Sequence, residues 1–463
     1  MVQNNDSNPN YILGIVLLAS FVVPFMASSV NLAIPDMGVQ FNCSAFMLSW
    51  VMNSYLLSSA AFLLPLGRLA DLLGRREVYL FGLVVFFSAS LLCSFAWSIE
   101  TLILFRVIQG IGSSAMFGTG IAILTLAFPP ESRGRILGYN SAVVYVGLSI
   151  GPFIGGIMNH YLGWHSIFFC CALLGLPVIL LAFRKLYTET VDTGAARFDP
   201  IGAVMYSIGL WLLLYGLSAI ANGVLPRFAA VIGLLLLILF IWRQMVVSDP
   251  IFDVRLLVSN TVFTFANLAA LINYSATFAV GYVLSIYLQV VRGYDSQGAG
   301  LIMIVYPIFM AVLSPYAGAL SDRIAPGLVA AWGMGLITFA LVLCIFLTGS
   351  TSLWFICGAL IILGVGFALF ATPNNNAVMG SVARQHYGVA GSTLSTMRLV
   401  GQALSMVLAT LIIDFHIGDT PLFMAEHSQL LSSFQSIFSL MAVACFCGIF
   451  VSLVGRKQLP RSE

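Results

Sequence analysis

The chain is short of charge. Only 8% of its residues are Asp, Glu, Lys or Arg, where a soluble domain carries roughly 25%. That deficit excludes an ordinary water-facing surface. A formal net charge of +2 excludes the basic footprint of a nucleic-acid binder. Its eight cysteines show neither a disulfide framework nor metal-ligand spacing. Cys93, Cys170, Cys171, Cys344, Cys357, Cys445 and Cys447 fall in apolar segments, with Cys43 alone outside, and they read as small apolar filler. Gly110-Ile111-Gly112 has no Walker lysine after it, so it is not a phosphate loop. No Ser–His–acid arrangement is evident, and the five histidines lie near segment ends or in loops. These lacks point away from an enzyme, a cofactor and a metal centre.

What the chain does have is long apolar runs. It is 60% hydrophobic, with a mean hydropathy of +1.02. A membrane-spanning helix needs about 20 mostly apolar residues. Fourteen such segments run at 11–35, 46–66, 78–96, 101–127, 136–159, 166–184, 200–221, 226–246, 260–291, 298–320, 327–348, 352–372, 386–413 and 434–455. Backbone polar groups in hydrocarbon must be paired within the segment, which selects helix over open sheet. The fold class is therefore an all-α polytopic membrane protein, placed in the plasma membrane. The polar stretch Val2 to Asn10 has no basic n-region, and the run after it is too long for a signal peptide, so the first segment reads as a retained span.

The basic residues fix an orientation. Fifteen of the nineteen fall in alternate gaps: Arg68, Arg75, Arg76, Arg133, Arg135, Arg184, Lys185, Arg197, Arg243, Arg255, Arg323, Arg384, Arg456, Lys457 and Arg461. Arg227 and Arg292 lie in the opposite gaps, and Arg106 and Arg398 lie inside apolar segments. Basic loops stay on the cytoplasmic side, which predicts cytoplasmic termini. Trp97, Trp164 and Trp354 then sit at outer ends and Trp242 and Trp332 at inner ends, as an interfacial belt. Gly67-Arg68-Leu69-Ala70-Asp71 closes the second segment, and Gly318-Ala319-Leu320-Ser321-Asp322-Arg323 closes the tenth. This echo predicts two six-helix bundles, residues 1–184 and 256–463, around an insert of a linker and two extra helices, 185–255. Paired halves around a cavity are a transporter architecture.

The first copy of that motif runs on through Leu72-Leu73-Gly74-Arg75-Arg76. It resembles the cytoplasmic loop motif of the major facilitator superfamily. Arg106-Val107-Ile108-Gln109-Gly110-Ile111-Gly112 and Gly147-Leu148-Ser149-Ile150-Gly151-Pro152-Phe153-Ile154-Gly155-Gly156 continue the likeness. The latter is similar to the antiporter motif of exporters in that superfamily. Fourteen segments, with Trp164-His165-Ser166-Ile167-Phe168 after the fifth, resemble the fourteen-helix drug–proton antiporter branch. The resemblance implies alternating access by rocking of two bundles, usually driven by protons and usually exporting. It also implies an acidic residue in the first span, about nine positions before the proline of Asn31-Leu32-Ala33-Ile34-Pro35. Met26 stands there, and no Asp or Glu lies in the middle of any segment.

Each motif has a physical reading. The resemblance implies that Asp71 faces the start of the thirteenth span, near His386, when the inside is shut. A carboxylate there gains roughly 0.3–1 kcal/mol from the helix dipole. Gly67, Asp71, Arg75 and Arg76 are thus the expected gate, with Asp322 and Arg323 as its counterpart against the fifth span. Arg106 and Arg398 are charges at bilayer depth and should face protein or a water-filled cavity. Gln109 shares the face of Arg106, and Asn31, Asn53, Asn140 or an anionic substrate would supply acceptors. Gly147, Gly151, Pro152, Gly155 and Gly156 lie on or near one stripe that admits close backbone approach, a hinge in the functional reading. Asp36, after Pro35, is the candidate coupling carboxylate. Asn31, Asn53, Tyr55, Asn140, Tyr145, Asn273, Tyr274 and Tyr306 are the candidate substrate-binding residues, with Tyr282 and the triplet Asn374-Asn375-Asn376 at the end of the twelfth span also polar.

The expected function is a secondary active, multidrug-type exporter, coupled to protons, handling small organic compounds as a monomer in the lipid bilayer. A uniporter or exchanger of a neutral or anionic metabolite is the alternative. A non-transporting receptor on a transporter fold is a reading from another class.

Overall fold

The computed structural model describes residues 9–186, 198–220, 223–382, 387–418, 420–422 and 424–454, and the backbone alone at 130–135, 137, 138, 141, 387 and 388. Arg197, Arg384, His386, Arg456, Lys457 and Arg461 lie outside the described residues. Each predicted segment is a helix. In order they are Pro9–Phe41, Ala45–Leu73, Arg75–Ser94, Ile99–Ala127, Pro130–Leu162, His165–Lys185, Pro200–Ser218, Val224–Val246, Thr261–Val291, Ser296–Arg323, Pro326–Ile345, Leu353–Gly380, Tyr387–Ile417 and His427–Val454. All fourteen are long and apolar enough to cross a membrane.

Local chemistry sets the boundaries. The Ser98 and Thr101 side chains form a reciprocal capping box at the start of the fourth span, pairing donors that the first helical turn leaves open. Asp199, Asn260, Asp295 and Ser352 cap the seventh, ninth, tenth and twelfth. Gly74 joins the second and third spans at φ 106°, a backbone that a side chain strains against. The ninth span is not one regular helix. It is interrupted at Phe278, where the Ala279 N–H is taken by Ser405 Oγ at 3.0 Å, and it ends in a π-helical turn, Tyr287–Val291. The tenth is interrupted at Ile304, just before Pro307, whose missing N–H leaves the Met303 carbonyl without its helical donor.

Two boundaries and one side-chain placement differ from expectation. The first helix runs through Pro35 to Phe41, so Asp36 lies inside it and not at its end; Met37 and Gly38 keep a buried face going. The twelfth runs through Pro373 to Gly380, which puts Asn374-Asn375-Asn376 within the helix. Asn374 is buried, and Asn376 donates to Ser321 Oγ at 2.7 Å, so tertiary contacts carry the helix past the proline. Trp164 is no interfacial residue: it is 2% exposed, stacked on His165 and bonded to Gln40 Oε1 at 2.7 Å. Trp97, Trp242, Trp332 and Trp354 are exposed.

The first six spans pack on one another, chiefly the first on the fifth and the fourth on the second and third. The last six do likewise, with the eleventh against the twelfth and fourteenth, the tenth against the twelfth, and the ninth against the thirteenth. We refer to these two sets of six spans as the first and second halves. They meet where the second span crosses the thirteenth and the fifth crosses the tenth. The seventh and eighth form a hairpin, and the seventh lies against both the second and the thirteenth. Its polar bonds go to the second: Tyr206 Oη to the Ala60 carbonyl at 2.9 Å and Ser207 Oγ to the Ala61 carbonyl at 2.8 Å. Trp50 stacks on Trp211 between them.

The hairpin is pinned at its base. Asp199 accepts from Arg243 Nη2 at 2.8 Å, from Gln244 at 3.2 Å and from the Gly202 N–H at 2.9 Å. Burial pushes this carboxyl up, but the Arg243, Gly202 and Gln244 bonds outweigh it and hold Asp199 below its ordinary 3.8. A carboxyl lowered by folding stabilises fully above its unfolded value and loses that contribution as pH falls through its folded one. Asp199→Asn is therefore expected to unfold at lower temperature than wild type at neutral pH, with the gap closing in acid. Thermal unfolding in detergent across pH checks this; a gap unchanged down to about pH 2 contradicts it.

Candidate functional site

The two ends of the bundle differ. At the Asp36 end the halves are bonded to each other. Ser285 Oγ donates to the Asn31 carbonyl at 2.6 Å, and Gln289 Nε2 to the Leu32 carbonyl at 3.1 Å. Asn53 Nδ2 donates to Thr410 Oγ1 at 3.0 Å, and Ser296 Oγ to the Gly156 carbonyl at 3.2 Å. His160 Nδ1 lies 3.4 Å from Asp295 Oδ2, an ion pair when the imidazole is protonated. Asn31 and Asn53, candidates for substrate, are thus parts of this closure. Asp36 accepts from Asn159 of the fifth span, within the first half.

At the other end the bonds of Asp71 and Arg76 stay inside the first half. Asp71 accepts from Arg75 at 3.2 Å. Arg76 donates to the Leu186 and Phe183 carbonyls at 2.9 and 3.2 Å and to Glu77 at 2.6 Å. Asp322 and Arg323 are exposed, and Gly67 packs against Gly118 within its half.

The glycine motif of the fifth span divides between two faces instead of forming one stripe. A Cβ on Gly147 would stand 2.6 Å from the Phe21 carbonyl, and one on Gly155 2.4 Å from Ser29 Cβ. Gly151 likewise meets Ser28, and its carbonyl accepts from Ser29 Oγ at 2.9 Å. These three serve packing within the first half. Gly156 and Pro152 face the other half: a Cβ on Gly156 would lie 2.5 Å from the Ser296 carbonyl, and one on Gly300 2.3 Å from the Pro152 carbonyl. The cause is the helical repeat, which rotates successive residues by about 100°.

Arg106 is 1% exposed and enclosed in the first half. Its Nε donates to the Val51 carbonyl at 2.9 Å and its Nη1 to Gln109 Oε1 at 2.5 Å. Its carbon centre lies 4.2 Å from the Tyr55 ring centroid and 5.9 Å from that of Phe168. Gln109 reaches Ser90 Oγ at 2.7 Å and Met26 Sδ at 3.0 Å. Met26 Sδ is itself 4.0 Å from Arg106 Nη1. The guanidinium thus rests on a carbonyl, an amide, a thioether and rings, and none of the expected asparagines is its acceptor. Asn31, Asn53 and Asn140 each leave Oδ1 without a bond among the described residues.

Arg398 is placed differently. It is half-buried midway along the thirteenth span, 5.9 Å over the ring of Phe117 in the first half and beside Tyr274. Tyr274 and Tyr306 each meet Phe367 edge-on, at 5.6 and 6.1 Å between centroids. Tyr145 reaches the same place from the first half, close to Tyr274, Tyr306 and Thr372. Three predicted tyrosines and one predicted arginine therefore converge where the halves face each other. Asn273 does not join them: it is fully buried with both amide atoms unpaired among the described residues. Tyr55 lies on Arg106 instead. Phe117, Phe367 and Thr372 carried no signal in an apolar helix, nor did Ser285, Gln289, Ser296 and Thr410 at the closure.

The family model for the Major Facilitator Superfamily matches residues 16–263 and 266–463. The chain belongs to that superfamily. It is a multi-pass transporter of the cell membrane. It is 27% identical to the riboflavin transporter RibZ of Clostridioides difficile over 97% of this chain and 98% of that one. It is 32% identical to the uncharacterized transporter YebQ of Escherichia coli, covering 94% and 92%. Against the multidrug resistance protein Stp of Mycobacterium tuberculosis it is 29% identical, covering 84% and 73%. Superfamily architecture is matched in three dimensions by the human organic anion transporter MFSD10, with TM-score 0.66 over 96% of this chain and 99% of that one at 16% identity, and this shows the fold alone.

Proposed function

We propose that this transporter is a secondary active exporter of small organic compounds that works by alternating access. With both termini placed in the cytoplasm by the charge pattern, the Asp36 end is the outer one and the bonds there close the protein to the outside. The observation that carries this is the asymmetry of the two ends: the halves are tied together at the Asp36 end, while Asp71 and Arg76 bond within the first half at the other. A mid-depth cluster drawn from both halves, Tyr145, Tyr274, Tyr306 and Arg398, supports a substrate position that both openings reach. The likeness to Stp supports export, and the likeness to RibZ supports a planar aromatic cargo.

A second reading, movement without ion coupling, is favoured by Met26, which leaves Arg106 and Gln109 with a thioether for a neighbour and no titrating acid. Purified protein in liposomes loaded with riboflavin separates the two. Export is expected to be faster under an inwardly directed proton gradient than under a riboflavin gradient alone. Equal rates under both favour the uncoupled carrier. If neither riboflavin nor an aromatic carboxylate such as 2-naphthoate moves under a pH gradient, a membrane potential or a concentration gradient, the transport reading fails.

A further inference from the structure

We infer that Arg398 selects substrate charge, and that the ligand it fits is an aromatic carboxylate. The inference rests on the transporter reading above and narrows its substrate class. Two guanidinium groups lie at bilayer depth in this chain, and their surroundings separate their roles. Arg106 is sealed inside the first half, with donors spent on Val51 and Gln109 and a face covered by Tyr55. Arg398 is half-buried and reaches across to the Phe117 ring of the other half. Every described carboxylate lies in a loop or within the first or last turns of a span, so none at this depth answers its charge. A cation at bilayer depth with only a phenol and a ring beside it, and no carboxylate, is costly to keep.

A bound carboxylate removes that cost, because the planar guanidinium fork matches two carboxylate oxygens with parallel charge-assisted bonds. The neighbours specify the rest of the ligand. Tyr274 and Tyr306 each already meet Phe367 edge-to-face, and Tyr145 closes the cluster from the opposite half. Such walls favour a flat ring system. A cation would meet Arg398 with no carboxylate to compensate.

Binding of three probes on one ring system tests this: 2-naphthoate, 2-naphthol and 2-naphthylmethylamine, titrated into detergent-solubilised protein and followed by intrinsic fluorescence. Wild type is expected to bind naphthoate at least tenfold tighter than the amine. Arg398→Gln should lose at least tenfold for naphthoate and stay within twofold for naphthol. Arg398→Lys should keep the anion preference at reduced strength, which shows that a folded variant with the charge restored recovers the effect. Arg398→Glu should favour the amine. A Gln variant that retains the anion preference, equal binding of amine and naphthoate by wild type, or no naphthoate binding at millimolar concentration overturns the inference. Because binding is read without a membrane, charge selection in detergent beside no movement in liposomes defeats the transport reading and leaves this one standing.

Discussion

Gly156→Ala is expected to drive the protein out of the conformation described. The added methyl would stand 2.5 Å from the Ser296 carbonyl, a backbone atom at the start of the tenth span that no rotamer can move. Relief requires the fifth and tenth spans to separate at the Asp36 end, which also lengthens the Ser296–Gly156 bond. Overpacking of this kind costs roughly 1–3 kcal/mol. Applied to one conformation only, it changes the population ratio by about 5- to 150-fold. Gly155→Ala is the control. Its methyl collides with Ser29 in the first half, a contact made in both conformations if each half moves as a body. It should lower the unfolding temperature and leave the ratio unchanged. Fluorescence energy transfer between labels on the two halves reads the ratio, and an unchanged ratio in Gly156→Ala removes that contact from the gate.

Arg106 gives the second large effect, and its sign depends on the replacement. The cation is fully enclosed, has no carboxylate, and leaves Nη2 without a partner among the described residues. Replacing buried charge by apolar side chains of similar volume is often neutral or stabilising by roughly 1–4 kcal/mol. Arg106→Met should therefore unfold at the same temperature as wild type or higher. Both replacements strip Gln109 Oε1 of its donor, but Arg106→Ala also leaves a cavity beneath Tyr55 that Met fills, so Ala should lie about 3 kcal/mol or more below Met. Thermal unfolding of both in detergent checks the pair. Equal destabilisation by Met and Ala would mean that the charge itself holds the first, second and fourth spans together.

The membrane-spanning helices were legible because each one is written locally, in a run of apolar residues long enough to cross and in caps such as Ser98 and Asp199. Placement of the polar groups was legible only in part. The gathering of Tyr145, Tyr274, Tyr306 and Arg398 depends on how four spans cross, although their residue types marked them out. The pentad from Gly147 to Gly156 read as one surface because spacing alone does not say that a second half will meet the helix on an adjacent face. Pro35 and Pro373 read as helix ends because a lost donor weighs against the helix locally, while Met37, Asn374 and Asn376 find tertiary partners that keep it going. Trp164 read as a lipid-facing ring for the same reason: Gln40, its bonding partner, is remote in sequence.

The most direct test of alternating access is a pair of spin-label distances in liposomes, one at each end of the molecule. Tyr161 and Trp354, both exposed, report the Asp36 end; Leu73 and Asp322, also exposed, report the Asp71 end. In wild type the first pair should give the shorter, narrower distribution. In Gly156→Ala the first distance should lengthen while the second shortens, because one rocking motion governs both. Lengthening at both ends, or movement at one end with none at the other, would contradict the account.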